Sequence, residues 1–164
     1  MKKKIILWHL LIIWCSIIFL FSHQNGTNSS HLSGQIAKII VSILDSLKNI
    51  TLPVFKPILD MDYEIIAENL EFFIRKFAHF FVFMILGIIT HLLSLCHIKN
   101  KYLCFIFSLM FCIFYAACDE FHQLFVSGRC AKVLDILIDA SGSVSGILIT
   151  LLASDYTLKK NKRK

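Results

Sequence analysis

The sequence predicts an all-α membrane protein: a single domain over residues 1–164, with four transmembrane helices, both termini cytoplasmic and an amphipathic helix in a long outer loop. Three observations carry this prediction. The 164-residue chain is 57% hydrophobic with a mean hydropathy of +0.71, more apolar than a soluble domain of this length can bury. Four apolar runs, residues 5–21, 77–95, 102–118 and 136–154, are interrupted by few charges. Each is long enough to cross a bilayer core as a helix, which takes about 20 residues and at least about 17. Ten of the seventeen Lys and Arg crowd into Lys2 to Lys4, the turn from Cys96 to Lys101, and the segment from Lys159 to Lys164. The positive-inside rule places those three segments in the cytoplasm. A pair of soluble core helices is the alternative for the second and third runs, but too little polar sequence remains to cover them.

The first run follows a basic start, as a cleaved signal peptide would. Its 17 residues and the absence of a small-x-small site in Ser22-His-Gln-Asn-Gly instead favour a retained helix. An outer loop over residues 22–76 comes next, too long to lack structure in a compact protein. From Gly34 to Ile50, the apolar stripe Ile36, Ile40, Ile43, Leu47 and Ile50 opposes Lys38, Ser42, Asp45, Ser46 and Asn49. This pattern predicts an amphipathic helix on the outer interface or against the bundle. Pro53 and Pro57 break it. Asp60 or Asp62 offers an N-cap for a second helix along Ile66, Leu70, Phe73 and Phe77, running into the second span. In the fourth span, Gly142 and Gly146 form a small-xxx-small pattern suited to close packing, with a groove lining as the alternative.

The net charge of +6 comes mostly from the basic flanks. It points to an anionic membrane surface and not to nucleic acid, since no basic stripe interleaved with aromatics lies elsewhere. Of the six cysteines, Cys15, Cys104 and Cys112 fall within spans as small packers, and Cys96 lies in the cytoplasmic turn. Cys118 and Cys130 alone share the outer side and could pair. Asn25-Gly-Thr27, Asn28-Ser-Ser30 and Asn49-Ile-Thr51 match the glycosylation acceptor pattern, which informs only in a secretory host.

Chemistry concentrates at one membrane face. Because antiparallel helices return their alternate ends to the same side, Ser22, His23 and Gln24 meet Arg75, Lys76 and His79. Asp119, Glu120, His122 and Gln123 end the third span at this side, and Gly128, Arg129, Asp135 and Asp139 lead into the fourth. Arg75 and His79 are four residues apart, as are Asp135 and Asp139, so each pair shares a helix face; Asp119 is likewise placed with His122 and Gln123. Two readings stand. In one, this is an outward pocket in which Ser22, Gln24, Arg75, Lys76, Gln123, Arg129, Asp135 and Asp139 bind a ligand, while His79, Asp119, Glu120 and His122 are candidates for proton transfer. In the other, arginines and acids neutralise one another so that polar helix ends can be buried. A metal held by Glu120, His122, Asp135 and Asp139 is a third arrangement, but no recognised ligand spacing supports it. His9 and His91 are lone residues within spans, expected to be locally satisfied, as is His97 in the turn. No nucleophile elbow or phosphate-cradling glycine loop is present, and no cofactor is implied.

Three motifs in order, Phe21-Ser-His-Gln24 with Ser33, Arg75-Lys-Phe-Ala-His79-Phe through Gly87, and Tyr115 through Gly146, cover the chain except for about 35–60. In the third, Asp119-Glu120-x-His122-Gln123-x-Phe125-Val126-x-Gly128-Arg129 precedes Asp135 and Asp139. This set resembles the VanZ-like family of small bacterial membrane proteins, named after an accessory protein of glycopeptide-resistance clusters. The chain departs from the family at His23, where a second serine is common. The resemblance implies a multi-pass protein of the bacterial plasma membrane tied to the cell envelope and, for some members, reduced sensitivity to teicoplanin-type glycopeptides. It supplies no reaction. Two functions are therefore expected: recognition of an envelope lipid, glycopolymer or lipid-linked cell-wall precursor, with membrane lipids as partners, or an intramembrane enzyme acting on such a lipid through a His/carboxylate site.

Overall fold

The computed structural model describes residues 2–46 and 63–161. Its helices are α1 (Lys2–Ser22), α2 (Gly26–Ser46), α3 (Tyr63–His97), α4 (Lys101–Gln123) and α5 (Val133–Asn161), with no strand among the described residues. Four of them, α1, α3, α4 and α5, are long and apolar enough to cross a membrane. The distribution of side chains fits hydrocarbon as the surrounding solvent. Ile12, Leu20, Phe107, Met110, Phe114 and Leu152 are exposed, whereas Thr90, Ser94, Ser108, Ser143 and Thr150 are buried between helices. Lipid tails give apolar side chains no reason to turn inward, so small and hydrogen-bonding residues make the helix contacts.

The closest packing joins α3 to α5. A Cβ added at Gly142 would lie 2.2 Å from the Phe80 carbonyl oxygen, one at Gly146 2.0 Å from that of Met84, and one at Gly87 2.4 Å from that of Ser143. Gly142 and Gly146 thus serve packing and not a groove. Hydrogen bonds fasten the other pairs: Trp14 Nε1 donates to the Val82 carbonyl at 3.0 Å, the Tyr115 hydroxyl to the Cys15 carbonyl at 2.6 Å, and the Ser94 and Ser108 hydroxyls meet at 3.0 Å. Asn100 caps α4 by accepting from the main-chain N–H groups of Tyr102 and Leu103.

With 35 residues and ~1.5 Å rise per residue, α3 is ~52 Å long against a hydrocarbon core of about 30 Å. Its first turns therefore project past the membrane. The expected second helix and second span are one continuous rod; the suggested caps Asp60 and Asp62, and Pro53 and Pro57, lie outside the described residues. Along the projecting part runs α2. Arg75 donates to the Ser30 hydroxyl, and a turn further along α2 a Cβ at Gly34 would lie 3.5 Å from the Glu71 carboxylate, so the two helices are antiparallel.

The structure corrects the amphipathic helix in two respects. It starts at Gly26 and not Gly34, and its buried positions are Ser33, Ala37 and Val41, with Ile36, Ile39 and Ile43 exposed. Small side chains make the contact with α3, and the isoleucines face outward. Leu47, Asn49 and Ile50 lie outside the described residues. Cys118 and Cys130 are separate, exposed thiols, so the suggested bridge is not formed. His91 also departs from expectation: it is fully buried and neither ring nitrogen has a hydrogen-bond partner among the described residues, whereas His9 and His97 each bond a carbonyl four residues back.

Candidate functional site

The end of α1, the middle of α3, the end of α4 and the start of α5 converge, and their polar residues meet there. The nine-residue connection between α4 and α5 folds over the cluster. Phe125 and Val126 continue the helical winding through bonds to His122 and Gln123, and Gly128 then reverses the chain at φ 75°, a conformation that suits glycine. Glu120, almost fully buried, fixes the returning strand of this loop by accepting from the Lys132 N–H at 2.9 Å. The other Glu120 carboxylate oxygen has no hydrogen-bond partner among the described residues.

Arg129 joins the same loop to α1. Its Nε donates to the Gln24 carbonyl at 2.9 Å and its Nη2 to the Phe21 carbonyl at 3.0 Å. The last carbonyls of a helix lack intrahelical partners, and the guanidinium supplies two donors from one rigid fork. Burial pulls Arg129 below its ordinary pKa; Asp119 and Glu120 oppose that shift, while nearby Arg75 adds to it. Neither arginine forms an ion pair with an acid among the described residues.

Two ion pairs join α3 to α5. Lys76 forms a salt bridge with Asp135 and lies 5.4 Å from the Phe72 ring centroid. His79 Nδ1 is 3.5 Å from Asp139, within ion-pair reach but longer than an ordinary hydrogen bond. Asp139 has no exposed surface, and neither carboxylate oxygen has a hydrogen-bond partner among the described residues. Asp119, also buried, accepts from Gln123 Nε2 at 3.0 Å; the neighbouring Ser22 hydroxyl is buried without a hydrogen bond among the described residues.

His122 is placed apart from this group. Its Nε2 meets His23 Nδ1 at 3.2 Å, and its ring centroid is 4.6 Å from that of Phe19. Residue 23, where the chain departs from the resembling family, is therefore the partner of His122. The expected face shared by Asp119, His122 and Gln123 holds for Asp119 and Gln123 only.

Two cavities meet at the cluster. One, of about 250 Å³, is lined by Arg75, Lys76, His79, Gln123, Arg129, Lys132 and Asp135, with Gly26, Gly128, Phe72 and Cys130 completing its wall. The other, of about 320 Å³, is mostly apolar and runs between α1, α2 and α3 past Ile18, Phe21, Leu32, Ile36, Ala78 and Val82. Arg75, His79 and Arg129 line both. Ser22, Gln24 and Asp119 stand at the polar end of the apolar cavity.

Comparison with protein-family models matches residues 7–154 to the one described as VanZ/LLP1. The chain belongs to this family. It is a multi-pass membrane protein, and the matched region contains every residue of the polar cluster. No curated protein and no solved structure matches the chain.

In this VanZ/LLP1 chain, sequence reasoning had named most of the polar cavity's charges but not Lys132 or the apolar cavity. Lys132 carried a signal: a basic residue in the short connection that also holds Arg129 and leads to Asp135. The apolar wall carried none, since Leu32, Ile36, Ala78 and Val82 resemble any lipid-facing residues until the helices are assembled. Among the described residues, no group of three or more His, Cys, Asp or Glu is arranged to hold a metal ion.

Proposed function

We propose that this protein recognises an envelope lipid, glycopolymer or lipid-linked cell-wall precursor at the outer face of the bacterial plasma membrane, through an anionic group held by Arg75 and Arg129. The observation that carries this is the pair of arginines that both line the two cavities at their junction, without an acid in ion-pair contact among the described residues. Two neighbouring cations of this kind attract a phosphate or carboxylate, and a guanidinium can grip either with two parallel hydrogen bonds. Lys132 adds a third cation to the polar cavity. The lysine-rich termini and the turn with Lys99 and Lys101 support an outward-facing cluster. A changed sensitivity to teicoplanin-type glycopeptides is the phenotype that follows.

Arg75 provides the test, because among the described residues its hydrogen bond goes to the Ser30 hydroxyl, whereas Arg129 holds main-chain carbonyls. Binding of fluorescent hexadecyl phosphate to the protein in zwitterionic nanodiscs should weaken about ten- to a hundredfold in Arg75→Ala, since a hydrogen bond to a charged group contributes about 1.5–3 kcal/mol. Unchanged affinity at normal membrane abundance would overturn the assignment.

A second reading is an intramembrane enzyme with His79 as acid or base and Asp139 orienting it. The fully buried, unsatisfied Asp139 carboxylate favours it, and geometry favours His79 over His122, which lines neither cavity. Asp139→Asn should then abolish turnover of a bound lipid and leave its binding intact.

A further inference from the structure

We infer that the apolar cavity between α1, α2 and α3 is a groove for one hydrocarbon tail, so that the ligand is a single-tailed lipid phosphate whose head lies in the neighbouring polar cavity. The inference rests on the anionic-headgroup reading above and adds the chemistry of the remainder of the molecule. Its basis is continuity: the polar and apolar cavities share Arg75, His79 and Arg129. A ligand gripped there has cations on one side and hydrocarbon on the other. Amphiphiles have that division, and a free sugar or inorganic phosphate does not.

Size selects one tail. At about 320 Å³ the groove is near the lower limit for small-molecule sites, about 300–1,000 Å³. Its junction with the polar cavity is bordered by three ionisable side chains, and a branched glycerol backbone would bring a second chain into that border. Leaving bulk lipid for a protein groove gives a tail little hydrophobic gain, because lipid is already apolar. The groove consequently discriminates by shape and not by greasiness. Entry lies beside α2, which packs chiefly on α3, and Leu32 and Ile36 at its rim are exposed.

Asp119 sharpens the assignment of the head. Its buried carboxylate sits at the polar end of the groove and would repel a phosphate pressed against it. The phosphate therefore belongs on the side of Arg75, Arg129 and Lys132, where Asp119 could still accept a hydrogen bond from a hydroxyl on the head.

The test uses the full chain in zwitterionic nanodiscs with three probes: butyl phosphate, hexadecyl phosphate and dihexadecyl phosphate. Ala78 is exposed and lines the groove, so Ala78→Phe fills the groove without entering the core; Leu32→Trp obstructs its rim as an independent variant. Overfilling a shaped space costs about 1–3 kcal/mol, so hexadecyl phosphate should bind about tenfold or more weakly to each variant. Butyl phosphate should bind both variants as it binds the parent, and dihexadecyl phosphate should bind the parent more weakly than hexadecyl phosphate does. A photoreactive group at the end of the hexadecyl chain should label Ile36 or Val82. Equal loss of butyl and hexadecyl phosphate in the variants, equal binding of one- and two-tailed probes, or labelling confined to the outward-facing Phe107 and Phe114 would overturn the tail groove alone. Failure of every phosphate probe to bind the parent would overturn the headgroup reading and the groove with it.

Discussion

Gly26 and Gly128 press backbone to backbone: a Cβ at Gly26 would fall 2.0 Å from the Gly128 carbonyl oxygen. The Gly26 N–H also donates to the Ser127 carbonyl at 3.1 Å. The start of α2 is thereby locked to the loop between α4 and α5, and both glycines line the polar cavity. The obstacle is a main-chain atom, so no rotamer change can relieve it.

Gly26→Ala should therefore separate α2 from the loop and lower stability by about 1–3 kcal/mol, in the range of overpacked sites. Thermal unfolding in detergent would measure this. A melting temperature equal to that of the parent would mean that α2 is not held by this contact.

The salt bridge between Lys76 and Asp135 joins the projecting part of α3 to the first turn of α5, with both side chains mostly covered. Lys76→Ala leaves Asp135 without its cation, so the double change Lys76→Ala with Asp135→Ala should destabilise the protein by less than the sum of the two single changes. Groups in direct contact commonly show coupling of about 0.5–3 kcal/mol. A double-mutant cycle on denaturation in detergent would give the value, and strict additivity would show that the pair contributes nothing.

Spans, their order and the convergence of Ser22, Arg75, Asp119, Arg129 and Asp139 were legible in the sequence because hydrocarbon thickness and helical period leave few alternatives. The partners were not. Helical spacing put His122 beside Asp119, yet whether a helix-end residue turns inward depends on the neighbouring helix, and Phe19 and His23 draw His122 toward α1. Nor could spacing show that Arg129 would bind main-chain carbonyls, since a carbonyl leaves no trace in a residue code. On α2, the isoleucine stripe was visible but its direction was not: close approach to α3 favoured small side chains, and Ser33, Ala37 and Val41 took the inner face.

Arg129 is expected to behave differently from Arg75 when replaced by lysine. A lysine at 129 retains the charge but cannot donate to both Gln24 and Phe21 in the geometry of a planar fork. Arg129→Lys should reduce folded protein in the membrane, whereas Arg75→Lys should leave abundance unchanged and impair phosphate binding. Membrane abundance and hexadecyl phosphate affinity measured side by side separate the two roles. Equal abundance for parent and Arg129→Lys would remove the carbonyl cap from the account.

Orientation can be read from thiols that the chain already possesses. Cys130 is exposed on the loop beside the polar cavity, and the basic turn with Lys99 and Lys101 lies at the opposite end of α3 and α4. If the lysine-rich segments are cytoplasmic, a membrane-impermeant maleimide should modify a Cys118→Ala chain in intact cells at Cys130, and adding Cys130→Ala should abolish that signal. Adding Lys99→Cys, at another exposed position, to the chain with both Cys118→Ala and Cys130→Ala should restore modification only after the cells are permeabilised. Modification of Lys99→Cys in intact cells would invert the topology. The two arginines would then face the cytoplasm, and recognition of a ligand from the outer leaflet would have to be abandoned.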